Sequence, residues 1–134
     1  MDTIPRPTDF ELAVLQVLWK QGDSTVRQVY EALGSKGAYT TVLTIMKIMT
    51  EKGLIKPDKS RTSYVYSVTM PPEVVKRRLV SDLVDRAFAG AAQELVLQAL
   101  SSTSASKEDL KAIRKLIGKL EKEHEQSHSY RIGT

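Results

Sequence analysis

Residues 39–52 read YTTVLTIMKIMTEK, and this stretch decides the fold that we expect for the chain. Its apolar side chains recur at the spacing i, i+3, i+4 and i+7, which is typical of a helix with one buried face: Val42, Ile45, Met46 and Met49. Gly53 follows and predicts the end of the helix. At about 100° per residue, the opposite face is centred on Thr44 and holds Thr40, Thr41, Thr44, Lys47, Ile48 and Glu51, with Leu43 at its boundary.

Two amphipathic helices precede this stretch. The first begins at Thr8, because Thr8 and Glu11 have the spacing of a capping box, and its apolar face holds Phe10, Val14, Val17 and Leu18. The second begins at Ser24 or Thr25, and its apolar face holds Val26, Val29, Tyr30 and Leu33. Both faces are expected to pack against the apolar side of residues 39–52.

A β-hairpin is predicted to follow the three helices. Residues 54–55 and 64–68 are two short β-rich runs, and a polar turn over residues 56–63 separates them. Pro71-Pro72 closes this unit. Three helices followed by a two-stranded wing form the winged helix-turn-helix arrangement. We therefore expect residues 1–70 to be a winged-helix DNA-binding domain.

The remainder of the chain is predicted to be helical, with three apolar stripes. These stripes either fold back onto the winged helix or pair with a second copy; pairing is favoured, because a twofold dimer that reads two half-sites is a common arrangement. The chain is thus expected to be mainly α with a small β-hairpin, with a helical dimerisation region over 71–126 and a disordered tail over 127–134. The residues assigned to dimerisation are Leu79, Leu83, Phe88, Leu95, Val96, Leu100, Leu110, Ile113, Ile117 and Leu120.

Residues 39–52 are suited to the major groove of double-stranded DNA. The recognition helix of a helix-turn-helix protein enters that groove, and its N-terminal residues meet base edges. Threonine hydroxyls donate to or accept from base edges, and threonine methyls contact the thymine methyl. The alternative is that Thr40 and Thr41 only cap the helix, which leaves Thr44 unexplained. Phosphate contacts are expected from cations on this helix, on the second helix and in the wing: Lys47, Arg27, Lys56, Lys59 and Arg61.

The composition is that of an ordinary soluble protein. The formal net charge of +4 suits a polyanionic partner. There is no cysteine, which excludes a thiolate metal site and a cysteine nucleophile. No apolar run reaches the roughly 18 residues of a membrane span, and residues 1–7 lack a secretory signal, so a cytoplasmic protein is expected.

Enzymatic and metal-dependent functions are not indicated. The chain has no Ser/His/Asp set, no glycine-rich phosphate loop and no paired acids, so neither catalysis nor a cofactor is expected. A metal-responsive regulator would rest on His124 and His128 alone, which stand four apart without an obvious third ligand. A winged helix that binds another protein through the same faces is a further alternative, which a salt titration of DNA binding distinguishes.

Four stretches of the N-terminal half carry a family resemblance. Residues 10–19 (FELAVLQVLW), 25–33 (TVRQVYEAL), 38–46 (AYTTVLTIM) and 51–55 (EKGLI) resemble the first helix, second helix, recognition helix and wing entry of the penicillinase repressor family, the BlaI/MecI/CopY type. The resemblance implies a homodimeric repressor that binds a palindromic operator and controls antibiotic-resistance or copper-homeostasis genes. The family's DNA contacts correspond to Thr40, Thr41, Thr44, position 48, Lys59 and Arg61.

Three positions depart from the family pattern. Ile48 stands where arginine is frequent, so a phosphate or guanine contact is missing or moved to Lys47. The cysteine cluster of the copper-responsive members is absent. In the β-lactam-responsive members a membrane sensor-protease partner cuts an Asn-Phe bond, and Gln98-Ala99 stands at that place here. The resemblance therefore leaves the inducing signal open.

Overall fold

The computed structural model describes residues 5–102 and 104–133, with side chains described as far as residue 127. These residues form six helices and three short strands, in the order α1 (Asp9–Gln21), β1 (Ser24–Thr25), α2 (Val26–Ala32), α3 (Tyr39–Lys52), β2 (Ile55–Asp58), β3 (Val65–Val68), α4 (Pro72–Ala87), α5 (Ala92–Ser102) and α6 (Lys107–Gly133). The fold is mainly α, with a winged helix-turn-helix followed by further helices, as the sequence predicts.

The first three helices surround one core. The Thr8 hydroxyl accepts a hydrogen bond from the Glu11 amide at 3.2 Å, and the Thr8 amide donates to Glu11 Oε1 at 2.8 Å, which confirms the predicted capping box at the start of α1. The apolar core of the described residues consists of Val14, Leu15, Leu18, Val26, Val29, Val42, Met46, Met49, Leu54, Ile55, Tyr66 and Val75. The predicted apolar faces therefore meet, except at Phe10, which is exposed in the first turn of α1.

The sheet has three strands, one more than the predicted hairpin. Its order is β1-β3-β2, and both neighbouring pairs are antiparallel. In the additional pair, Ser24 lies opposite Tyr66 and Thr25 opposite Val65. A two-residue strand is too short to show alternating hydrophobicity, which is why the sequence pattern does not reveal it. Because β1 leads directly into α2, the wing is hydrogen-bonded to the start of the second helix.

The hairpin itself is longer than the sequence suggests. The strand β2 continues to Asp58, so residues 56–58, which the sequence assigns to the turn 56–63, belong to the strand. Pro57 lies opposite Tyr66 within this strand. Proline is tolerated there because β2 is an edge strand of the described sheet, so only one of its sides takes part in pairing. The turn at the wing tip therefore spans residues 59–64.

The chain divides into two compact units, Met1–Arg86 and Ala87–Thr134. The first unit is larger than the predicted domain 1–70, because α4 packs on the winged-helix core. Val75 is buried in that core, and Leu79 packs against it. Leu79, which the sequence assigns to dimerisation, therefore contributes to the winged-helix unit.

The second unit contains α5 and α6. Several of its large apolar side chains are exposed, namely Val96, Leu97, Leu110, Leu116, Ile117 and Leu120. The helix α6 continues to Gly133, through most of the range 127–134 for which the sequence predicts a disordered tail, since no glycine or proline interrupts the chain between Gly118 and Gly133. Thr134 lies outside the described residues. None of the helices in the described ranges has the length and apolar character that crossing a bilayer requires.

Candidate nucleic-acid interface

The helix α3 has the two faces that the sequence predicts. Val42, Met46 and Met49 are at most 2% exposed and belong to the core, and Ile45 packs against them. Every residue assigned to the opposite face is exposed: Thr40, Thr41, Thr44, Lys47, Ile48 and Glu51. We call these six residues the outward face of α3. The helix therefore presents its hydroxyl-rich side to solvent.

The threonine hydroxyls of the outward face do not cap the helix. The N-cap of α3 is Ala38, and no side chain forms a cap hydrogen bond there. Within the described residues, the hydroxyls of Thr40, Thr41 and Thr44 make no hydrogen bond, whereas Thr50 on another side of α3 donates to the Met46 carbonyl at 2.9 Å. The capping alternative is thus not supported, and these three hydroxyls are available to an external partner.

Aromatic contacts hold the N-terminus of α3. The rings of Tyr30 and Tyr39 meet edge to face, with centroids 5.5 Å apart, and the Arg27 guanidinium lies 4.5 Å from the centroid of Tyr39. The Tyr30 hydroxyl lies 3.1 Å from the carbonyl oxygens of Ser35 and Gly37 in the turn between α2 and α3. These contacts hold the turn before α3 and place Arg27 beside the first residue of that helix.

An ion pair holds the C-terminus of α3. Lys52 Nζ donates to Glu11 Oε1 at 2.8 Å, and the Glu11 side chain is only 2% exposed. The same carboxylate oxygen accepts from the Thr8 amide, so one buried group joins the start of α1 to the end of α3. Gly53 then ends α3 with a left-handed backbone conformation, which glycine adopts without strain.

The carboxylate of Glu11 remains charged although it is buried. Burial raises the pKa of Glu11, but the hydrogen bond from Lys52 and those from Thr8 together outweigh burial and bring the pKa below its ordinary value. The pair is therefore fully formed near neutral pH, where it holds the end of α3 against the start of α1.

The wing tip is shaped by Asp58. Its Oδ1 accepts hydrogen bonds from the Ser60 hydroxyl at 2.6 Å and from the Ser60 amide at 3.0 Å. These two bonds, with the nearby charge of Arg61, hold the pKa of Asp58 below its ordinary value. Lys59 Nζ lies 6.0 Å from the centroid of the Tyr64 ring, across the turn. The turn thus presents Lys59 and Arg61, both exposed, at the end of the hairpin.

Two open clefts lie between α3 and the wing. One has a volume of about 290 Å³ and is lined by residues of α2, α3 and the wing: Thr25, Val26, Arg27, Tyr39, Leu43, Thr62, Ser63, Tyr64 and Tyr66. The other has a volume of about 330 Å³ and is lined by Leu43, Lys47, Thr50, Glu51, Pro57, Lys59, Tyr64 and Tyr66. Lys47 of the helix and Lys59 of the wing therefore face the same cleft.

All nine residues that the sequence assigns to DNA contacts are exposed and lie in the first unit: Arg27, Thr40, Thr41, Thr44, Lys47, Ile48, Lys56, Lys59 and Arg61. Sequence reasoning did not identify Tyr39 and Tyr64 as parts of this surface. Their aromatic character is visible in the sequence, but the contacts with Arg27 and Lys59 depend on how the wing and α2 pack beside α3.

The histidine pair gives no metal centre in the part of the chain that the structure describes, where no group of three His, Cys, Asp or Glu side chains is placed to hold an ion. His124 lies beside Ile117, Leu120, Glu121 and Glu125 on an open face of α6. The side chain of His128 lies outside the described residues.

The chain is similar in sequence to several known proteins. A family model described as Penicillinase repressor matches residues 7–119. The Mycobacterium tuberculosis protein described as transcriptional regulator BlaI is 30% identical over 128 residues, which cover 92% of this chain and 91% of that protein. The penicillinase repressor of Bacillus licheniformis is 22% identical over 119 residues, covering 87% and 93%. A solution structure of monomeric Bacillus licheniformis BlaI with the blaP half-operator matches with a TM-score of 0.47 and 25% identity, covering 55% of this chain and 92% of that one.

Proposed function

Because the chain belongs to the penicillinase repressor family, we propose that it represses transcription by binding a palindromic DNA operator as a homodimer. The family consists of DNA-binding transcriptional regulators rather than enzymes. In the proposed complex α3 enters the major groove, and the wing contacts phosphates. The protein then acts in the cytoplasm, without a cofactor and without a bound metal.

The observation that carries this proposal is the outward face of α3. Three hydroxyls without partners in the described residues and one lysine project from a helix whose other side is locked in the core. Short side chains allow the helix backbone to approach base edges closely. Threonine also combines a hydrogen-bonding group with a methyl, so it can meet either kind of base feature in the groove.

Four exposed cations surround this face: Arg27 beside the N-terminus of α3, Lys47 on the helix, and Lys59 and Arg61 at the wing tip. Each phosphate that such a cation neutralises adds about −0.9 to the slope of log affinity against log salt concentration. Placement of charge on one side of the first unit thus compensates for the modest net charge of +4.

The test is a selection of duplexes from a random-sequence pool, followed by titration of the enriched duplex at several salt concentrations. A DNA-binding repressor enriches one sequence with twofold symmetry and loses affinity steeply as salt increases. A winged helix that serves only as a protein-interaction module enriches no sequence. That result would reject the proposed function.

The homodimer is supported by exposed apolar surface. Five of the residues assigned to dimerisation are exposed, namely Leu83, Val96, Leu110, Ile117 and Leu120. Apolar side chains repeated along helices are stabilised when a second copy covers them, and isologous pairing of identical faces closes the assembly. The other five assigned residues are partly buried within the chain, namely Leu79, Phe88, Leu95, Leu100 and Ile113.

Sedimentation of the full chain tests this assembly. The wild type is expected to sediment as a dimer at micromolar concentration, and Ile117→Asp is expected to sediment as a monomer because a charge replaces a side chain of the shared apolar face. Lys111→Asp, at an exposed position of the same helix, is the control and should remain dimeric. A monomeric wild type would contradict the proposal.

Release from DNA by proteolysis is not part of the proposal. The residues Gln98-Ala99 in α5 stand where the β-lactam-responsive members have the Asn-Phe bond that is cut.

A further inference from the structure

Ile48 is the one residue of the outward face of α3 that has no polar atom. It follows Thr44 by one helical turn, so the two side chains are neighbours on the same face. Its side chain is 37% exposed and does not belong to the core of the described residues. Packing within the first unit therefore does not account for a large apolar side chain at this position.

A side chain without donors or acceptors reads only one feature of a base pair in the major groove. Hydrogen-bonding groups of bases need polar partners, whereas the C5 methyl of thymine is recognised by apolar contact. We propose that Ile48 contacts a thymine methyl, so that each operator half-site carries an A·T pair whose thymine lies against this side chain. The inference rests on the proposed function and adds one base identity to it.

The stiffness of Ile48 suits this contact. A β-branched side chain in a helix has one strongly preferred χ1 rotamer, so the two γ carbons of Ile48 have a fixed direction before DNA arrives. Little rotamer entropy is then lost on contact. Thr44 and Thr41 add further methyl groups on the same face of α3. Lys47 lies on the opposite side of Thr44 from Ile48.

Leu43 provides the contrast on the same helix. It is also apolar and 44% exposed, but it lines both clefts beside Tyr64 and therefore lies on the side of α3 that faces the wing. At about 100° per residue, Leu43 lies at the edge of the face centred on Thr44, on the side opposite to Ile48. Leu43 thus matches Ile48 in size and exposure without sharing its position.

The test uses the full chain and the duplex that it enriches from a random-sequence pool. Each thymine of that duplex is replaced in turn by deoxyuridine, which lacks only the C5 methyl. At one thymine of a half-site, the replacement is expected to weaken binding of the wild type about fourfold, as for the loss of one buried methyl. Ile48→Ala is expected to bind the thymine and uracil forms equally, and Leu43→Ala should retain the fourfold difference.

Two results would overturn the inference alone. In the first, no thymine shows a difference between the two forms; in the second, Ile48→Ala retains the difference, so another side chain reads the methyl. A chain that enriches no duplex would overturn the proposed function together with the inference. Ile48→Val, which keeps the β-branch and removes one methyl, should give an intermediate difference and guards against a folding defect in the alanine variant.

Discussion

Thr44 lies at the centre of the outward face of α3, where the proposed complex brings its hydroxyl and methyl to base edges. Thr44→Ala is therefore expected to change base preference at one half-site position, by at most about 1–3 kcal/mol. Selection of duplexes with the variant and the wild type measures this change. Ser81→Ala, at an exposed position of α4, should enrich the same site as the wild type.

Lys59 and Arg61 at the wing tip are expected to act on phosphates instead. Lys59→Ala or Arg61→Ala should weaken binding to every duplex by a similar factor and flatten the salt slope by about 0.9. Titrations against the enriched duplex and an unrelated duplex measure both effects, with Lys111→Ala on α6 as the control. If Lys59→Ala and Thr44→Ala both changed base preference, or both weakened binding to every duplex alike, the division into base contacts and phosphate contacts would be wrong.

At the scale of single residues, helical periodicity was sufficient to predict which side of α3 is exposed. The spacing of Val42, Met46 and Met49 determines one buried face, and the other follows from geometry. The surroundings of Leu43 and Tyr64 were not predictable, because they depend on the register in which β2 and β3 pair beside the helix.

At the scale of secondary-structure elements, the pair of Glu11 and Lys52 joins the start of α1 to the end of α3. Glu11→Gln is expected to lower the free energy of unfolding by about 1.5–3 kcal/mol near neutral pH, the usual range for a hydrogen bond to a charged group. Glu51→Gln, at an exposed position of α3, is the matched control and should have no measurable effect. Chemical denaturation of the three proteins measures the difference.

The pH dependence of that difference has a definite sign. The pKa of Glu11 lies below its ordinary value of about 4.5 in the folded protein. Its contribution is therefore fully present above that value and is lost as pH decreases through the lower, folded pKa. The difference in the free energy of unfolding between wild type and Glu11→Gln should be constant between about pH 6 and pH 7, which is roughly two units above the ordinary pKa of a glutamate. The difference should disappear as the pH decreases below that ordinary pKa. A gap that stayed constant in acid would contradict the role of the ion pair.

Contacts between neighbours in the sequence were predictable, whereas contacts between distant residues were not. The capping box of Thr8 and Glu11 was predictable because both partners lie within four consecutive residues. The second role of Glu11 was not, since Lys52 follows it by 41 residues. The strand β1 was also missed, because its two residues form a strand only through pairing with β3.

At the scale of the whole molecule, the structure places α4 in the first unit, beyond the predicted boundary at residue 70. Val75 of α4 is buried in the winged-helix core, so Val75→Ala is expected to lower the free energy of unfolding of the first unit by about 2 kcal/mol. Val80→Ala removes the same groups from the same helix at a side chain that is 49% exposed, and it should cost much less. Thermal denaturation compares the two variants. Equal effects would place the boundary nearer residue 70, as the sequence suggested.

The sequence predicted the class of fold but not this boundary. Pro71-Pro72 reads as the end of a unit, because proline commonly interrupts regular structure. In the structure Pro72 is instead the first residue of α4, where proline is well tolerated. Whether the helix then packs on the preceding core depends on complementary shapes that spacing alone does not encode.

The sheet order β1-β3-β2 has a consequence for the spacing of contacts along DNA. The inner strand of the wing is hydrogen-bonded on one side to the residues that start α2 and on the other to the strand that follows α3. The hydrogen-bonded sheet therefore holds the wing in place relative to α3. In the proposed complex, an operator with one base pair inserted between the phosphates contacted by the wing and the bases contacted by α3 should lose one of the two sets of contacts, because neither element can slide independently.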